Sequence, residues 1–209
     1  EAMLWRDPKA YYDVDVLVFP SQIPHELIYP RDGMSAERHV ALMRHQLRVI
    51  RVALALAFTL RRRLVLPPLV CGYDKYWASL SRVGVIPGAP SWALPVYDCP
   101  LDHLLNPAEF KPSPAEYVRE FSFLSNPRAS PHLANTTAHV ALTLLDGSAV
   151  VQRLDGIQAR VLNITNLAAV ADTLWSSARV LTPRQLAAFR SQFARLQGGW
   201  CCAPHGELP

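Results

Sequence analysis

Four groups of residues in this 209-residue chain have the types and spacing to do chemistry. Asp13-Val14-Asp15 is a D-x-D triplet beside an apolar run. Two carboxylates so spaced can ligate Mn²⁺ or Mg²⁺ and thereby hold a diphosphate. Three-residue matches are common, so the competing role is a surface or capping one. Asp74, Lys75 and Trp77 form the second group. The lysine suits a phosphate, the aspartate accepts from sugar hydroxyls, and the indole offers a flat apolar face to C–H groups. The alternative is a short amphipathic helix with Tyr73, Trp77 and Leu80 turned inward. Third, Arg44, Arg48 and Arg51 share one helical stripe near His45. Such a stripe binds a diphosphate by bidentate contacts, or it is a solvated face, or it pairs with carboxylates of another domain. Last, Asp102 and His103 can move protons if both converge on a substrate. Adjacent helical residues point about 100° apart, so they do not form a dyad with each other, and Asp102 also reads as a helix cap.

The elements that must position these groups follow from periodicity. Val14 to Phe19 is apolar and β-branched and predicts a short strand. Ser35 is a good N-cap, and Val40, Met43, Leu47, Ile50, Leu54 and Phe58 recur at helical spacing up to Leu60. Leu64-Val65-Leu66 then reads as a buried strand stopped by Pro67-Pro68. A helix feeding a buried strand predicts a layered α/β fold with a mostly parallel sheet, helices on its faces and irregular proline-rich segments. In such sheets ligands sit beyond the carboxyl ends of strands, which makes Pro67 to Trp77 the preferred binding loop. Further on, the sequence predicts a helical stretch at 101–105 and strands at 120–124 and 160–164. It also predicts a hairpin of strands 139–145 and 149–154 about Asp146-Gly147. A helix follows from Thr165 to Ser177, and Thr182-Pro183-Arg184-Gln185 is a capping box opening another. Residues 1–34 are punctuated by proline and read as a lead-in from an upstream domain, with 35–209 as one domain.

Bulk properties exclude several classes. A net charge of +4, with arginines scattered rather than clustered, gives no argument for nucleic acid. The longest apolar run, Val49 to Leu60, is too short to span a bilayer and contains Arg51. Any anchor or targeting signal is expected upstream. No G-x-G-x-x-G, Walker loop, G-x-S-x-G or H-E-x-x-H occurs, against a dinucleotide enzyme, a P-loop NTPase, an α/β-hydrolase and a zincin. Asn135 and Asn163 open N-glycosylation triplets, which suits a secreted route.

Five motifs carry a resemblance. They are Glu1-Ala2-Met3 with Asp7-Pro8 and Tyr11-Tyr12-Asp13, and His45-Gln46-Leu47 through Leu64–Pro68 to Cys71, Asp74 and Trp77. Then come Cys99-Pro100-Leu101-Asp102-His103, Arg119 to Leu124 with Asn126-Pro127, and Trp200-Cys201-Cys202. In this order the chain resembles the C-terminal region of the extensin arabinosyltransferases of glycosyltransferase family 77. The resemblance implies a single-pass type II protein of the Golgi lumen that transfers L-arabinose from a nucleotide sugar to hydroxyproline-rich glycoprotein. The family's metal-binding D-x-D lies in an upstream catalytic domain, so Mn²⁺ or Mg²⁺ is expected in the full-length enzyme and this chain is an accessory C-terminal domain. Cys71 and Cys99 read as a disulfide, with buried reduced thiols as the alternative. Other readings are a non-catalytic glycoprotein-binding scaffold, and an enzyme similar to the protein O-fucosyltransferases with its site after Leu66.

Overall fold

Alternation along each short strand builds two hydrophobic layers. In the computed structural model the described residues are 14–72, 99, 101–106, 118–133, 136–143, 149–176 and 180–196. Strand β1 (Val16–Val18) lies at the centre of a sheet with β2 (Arg63–Val65), β3 (Val118–Arg119), β4 (Thr137–Val140) and β5 (Val161–Ile164). The order is β3-β2-β1-β5-β4, and every pairing is parallel. Leu17, Leu64, Leu162 and Ile164 point to one face, and Val16, Val65 and Val161 to the other.

The connections explain why the two layers differ. The steps β1 to β2, β2 to β3 and β4 to β5 all move the same way across the sheet. Right-handed crossovers then put their helices on one common face. That face carries α2 (Ala36–Thr59), α3 (Leu101–Leu104), α5 (Val150–Asp155), α6 (Leu167–Ser176) and α7 (Pro183–Leu196), whose apolar residues join one large core. Among the described residues, the return from β3 to β4 is the connection that crosses the opposite face. It supplies Phe123 from a 3₁₀ helix, η1 (Phe121–Ser125), and Leu133 from α4 (Ser130–Leu133). A four-residue helix, α1 (His25–Ile28), precedes α2.

Helix α2 starts where Ser35 accepts the Arg38 amide hydrogen at 3.3 Å. It ends in a Schellman motif, with the Arg62 N–H on the Ala57 carbonyl at 2.9 Å and the Arg61 N–H on Phe58 at 3.3 Å. Arg61 stands at the left-handed position, φ 55°, where glycine is usual. This geometry turns the chain directly into β2 and directs the Arg62 side chain inward, where it is buried. Its guanidinium donates to the carbonyls of Ile157 and Ala159, both at 2.7 Å, just before β5. Helix α7 opens on the expected capping box: the Thr182 N–H donates to Gln185 Oε1 at 3.0 Å, and Gln185 N–H to Thr182 Oγ1 at 3.4 Å.

Two expectations change. Where a strand is expected at 120–124, Phe121–Ser125 form the 3₁₀ helix η1. A strand would turn Phe121 and Phe123 the same way, yet Phe121 is 52% exposed and Phe123 only 7%. The segment 149–154 is helical: Val150 and Leu154, four apart, are both buried. Its β-branched valines imitate a strand, and no hairpin forms, because β4 pairs with β5 in parallel. The strand predicted within Val14 to Phe19 forms as β1 and takes the central place in the sheet.

Candidate functional site

The carboxyl ends of β1 and β2 release two proline-bounded loops, Phe19–Pro24 and Leu66–Gly72. Between them runs an open cleft of about 270 Å³, lined by Phe19, Gln22, His45, Gln46, Pro67 and Leu69 among others. Its enclosed part holds little more than one water molecule. This is where ligands sit in open α/β sheets.

Polar side chains on α2 fix both loops. Gln46 is buried and clamps Val70: its Nε2 donates to the Val70 carbonyl at 2.7 Å, and its Oε1 accepts the Val70 N–H at 2.9 Å. Two turns earlier, buried His39 accepts the Gly72 N–H on Nδ1 at 3.0 Å. A disulfide joins Cys71 to Cys99 with Cα atoms 5.0 Å apart, and the Cys99 N–H donates to Leu69 at 3.1 Å. Closing a loop of 28 residues contributes roughly 3–4 kcal/mol in the chain-entropy picture. The other loop is tied twice. Gln22 Nε2 donates to the Thr165 carbonyl at 2.8 Å, and the Gln22 carbonyl meets His45 Nε2 at 3.0 Å.

His45 has one consistent tautomer. Arg48 only donates, and its Nη2 lies 3.3 Å from His45 Nδ1, so Nδ1 carries the lone pair. Nε2 therefore holds the hydrogen and donates to Gln22. Arg48 Nη1 continues the chain to Asp172 on α6 at 2.8 Å. Both ring nitrogens are engaged, so His45 positions the loop and is not placed to abstract a proton. Burial lowers its pKa below the ordinary 6.5; the Gln22 carbonyl raises it, Arg48 lowers it, and Asp172 and Glu26 raise it. The neutral ring thus stabilises the fold fully above about pH 6.5, and this stability falls as pH drops below that value towards the lowered folded pKa. We expect the denaturation midpoint to fall more steeply between pH 7.5 and 5 for the native protein than for His45→Gln, which keeps a donor and an acceptor without titrating. Parallel curves would remove His45 from this role.

The sequence-predicted residues divide clearly. Cys71 and Cys99 are joined. Arg48 reaches Asp172 and His45, Arg51 stacks 4.1 Å from the centroid of the Trp175 ring, and Arg44 is exposed, so most of the stripe faces α6 rather than the cleft. Asp102 and His103 fall on α3, three and four residues beyond Cys99, which tethers this segment beside the β2 loop. Asp15 lies before β1, at the amino edge of the sheet and away from the cleft. Among the described residues no group of three or more His, Cys, Asp or Glu could hold a metal ion. Asn163 stands on β5 between β1 and β4, not on a loop. Asp13, Asp74, Lys75, Trp77 and Asn135 lie outside the described residues. Sequence reasoning missed Gln22, His39 and Gln46. The available signal was the seven-residue spacing of two polar residues, His39 and Gln46, on the buried side of an apolar helix.

Among curated proteins, the chain is 37% identical to Arabinosyltransferase XEG113 of Arabidopsis thaliana over 139 residues, covering 61% of this chain and 20% of that protein. The chain spans about a fifth of the relative's length. The resemblance to extensin arabinosyltransferases expected from the motifs is borne out. No protein-family model matches, and no solved structure does.

Proposed function

We propose that this chain is an accessory α/β module of a secretory-pathway glycosyltransferase. The whole enzyme transfers a sugar, L-arabinose, from a nucleotide sugar to the glycans of hydroxyproline-rich glycoproteins. The observation that carries the reading is the 37% identity to an arabinosyltransferase over 61% of this chain. Two features of the site support it. The disulfide between Cys71 and Cys99 suits an oxidising compartment such as the Golgi lumen. The clamped carboxyl-end loops are the part of an open α/β sheet that meets ligands.

The proposal includes a division of labour, with which the geometry is consistent. Both nitrogens of His45 are engaged, and the cleft between the loops is shallow. On this reading donor cleavage and any Mn²⁺ or Mg²⁺ belong to the rest of the enzyme, together with the membrane anchor of a type II protein. This module supports the acceptor side. Asp74, Lys75 and Trp77, which follow the clamped Leu66–Gly72 loop, are the residues proposed to meet sugar or phosphate there.

The test compares the full-length protein with the 209-residue chain, using a panel of nucleotide sugars and an arabinosylated hydroxyproline peptide. Transfer of arabinose by the full-length protein and none by the chain alone is expected. Turnover by the chain alone would overturn the division of labour. A full-length protein inert with every donor would overturn the assignment itself.

A further inference from the structure

The face of the sheet opposite the long helices carries a row of residues in register. Arg119 pairs with Val65, Val65 with Val18, Val18 with Asn163, and Asn163 with His139. All five side chains share one face, because strand neighbours in register point the same way. Phe123 of η1 covers one end of the row: Val65 is buried, and Arg119 lies over the Phe123 ring. Cover then falls away. Val18 and Asn163 are half-buried and His139 is exposed. The open end spans two strand spacings, roughly 10 Å. That is the width of one or two sugar rings, and it lies at the carboxyl ends of β1, β5 and β4.

The polar atoms there are arranged for a partner. Asn163 and His139 meet through Nδ2 and Nδ1 at 3.2 Å. An amide nitrogen only donates, so His139 Nδ1 bears the lone pair and its N–H sits on Nε2. Asn163 Oδ1 is buried and has no hydrogen-bond partner. Buried acceptors in folded proteins nearly always have one, so an orphan calls for a water or a ligand. The surround is fixed in advance. Asn166 clamps Leu142, donating to its carbonyl and accepting its N–H, both at 2.8 Å. The Thr165 N–H donates to Val140 at 2.9 Å, and Gln22 holds the Thr165 carbonyl. The row's own residues at its open end, Val18, Asn163 and His139, include no carboxylate, lysine or arginine.

We propose that Val18, Asn163 and His139 form a binding subsite for a neutral sugar unit. A hydroxyl donates to Asn163 Oδ1, a neighbouring hydroxyl accepts from His139 Nε2, and Val18 meets the C–H face of the ring. A phosphate is disfavoured because the row supplies an amide, an imidazole and a valine and none of its residues at that end is a lysine or arginine. The subsite rests on the reading above only for its choice of probe, an arabinoside. It also bears on Asn163-Ile164-Thr165: on an inner strand, with Thr165 Oγ1 directed at the Val140 carbonyl at 3.3 Å, the asparagine holds ligand and carries no glycan.

The experiment follows the histidine ring nitrogens of the 209-residue chain by NMR while methyl L-arabinofuranoside is added, with UDP as the contrasting probe. A saturable shift of His139 is expected with the arabinoside and not with UDP, with His45 unmoved. Asn163→Ala should weaken the apparent affinity by about tenfold or more, one good hydrogen bond's worth. The exposed variant His139→Ala, which cannot disturb the core, should abolish the saturable response seen on Val18 methyl signals. A His139 shift with UDP alone, no saturable shift with the arabinoside, or a glycan on Asn163 by mass spectrometry would each overturn the subsite. Arabinose transfer by the full-length enzyme would still stand in those cases, so the two readings fail separately.

Discussion

Gln46→Ala is expected to destabilise the protein by about 2–5 kcal/mol, because it strands two buried backbone groups at once, each costing about 1–3 kcal/mol. The N–H and the carbonyl of Val70 have Gln46 as their partner in the loop after β2. The midpoint of thermal unfolding should fall by about 10 °C for a chain of this size. Gln46→Glu separates the hydrogen bonds from the packing. A protonated carboxyl group can donate to the Val70 carbonyl and accept its N–H, whereas a carboxylate can only accept. Burial against a carbonyl raises the folded pKa of the new side chain above its unfolded value. The recovered stability is then present below the unfolded carboxyl pKa and is lost as pH rises through the folded one. Denaturant unfolding between pH 4 and 8 measures this. A loss under 1 kcal/mol for Gln46→Ala would mean that water replaces the clamp without cost.

Arg62→Ala should cost about 3–5 kcal/mol, the worth of two charge-assisted hydrogen bonds and of the carbonyls left behind. The guanidinium spans Ile157 and Ala159 in one plane, and a lysine ammonium has no such fork. Arg62→Lys should therefore restore less than half of the loss. Arg62 acts at the amino ends of the strands, far from the cleft, so ligand binding by the folded fraction should be unchanged. Equal stability of the lysine variant and the native protein would show that charge, not the planar fork, holds the segment before β5.

What the sequence made legible was whatever is decided locally. Ser35, the apolar stripe of α2 and the prolines after Leu66 set that helix to within one residue of its observed end and placed β2 beside it. Thr182 and Gln185 announced α7 because a capping box closes within four residues. The central place of β1 was not legible. Its neighbours are Arg63 to Val65 and Val161 to Asn163, and nothing in Val16-Leu17-Val18 says which strands flank it. Segment 149–154 was misread because a short β-branched run fits both periods, and only the burial of Val150 and Leu154 decides between them. The site was legible in its address, the carboxyl end of β2, and in its cysteines. Its ties were hidden because the partners are remote in sequence: Gln46 and Val70 are 24 residues apart, Arg48 and Asp172 are 124, and Gln22 and Thr165 are 143.

Gln22, Gln46 and Asn166 hold the ends of β1, β2, β5 and β4, and all three are carboxamides. None gains or loses a proton between acid and alkali, and none attracts counter-ions. The rim they build should keep its shape from dilute buffer to molar salt. Within that rim, a response to mild acid would report a histidine or a bound molecule, and a response to ionic strength would report the Arg48–Asp172 pair or a charged ligand.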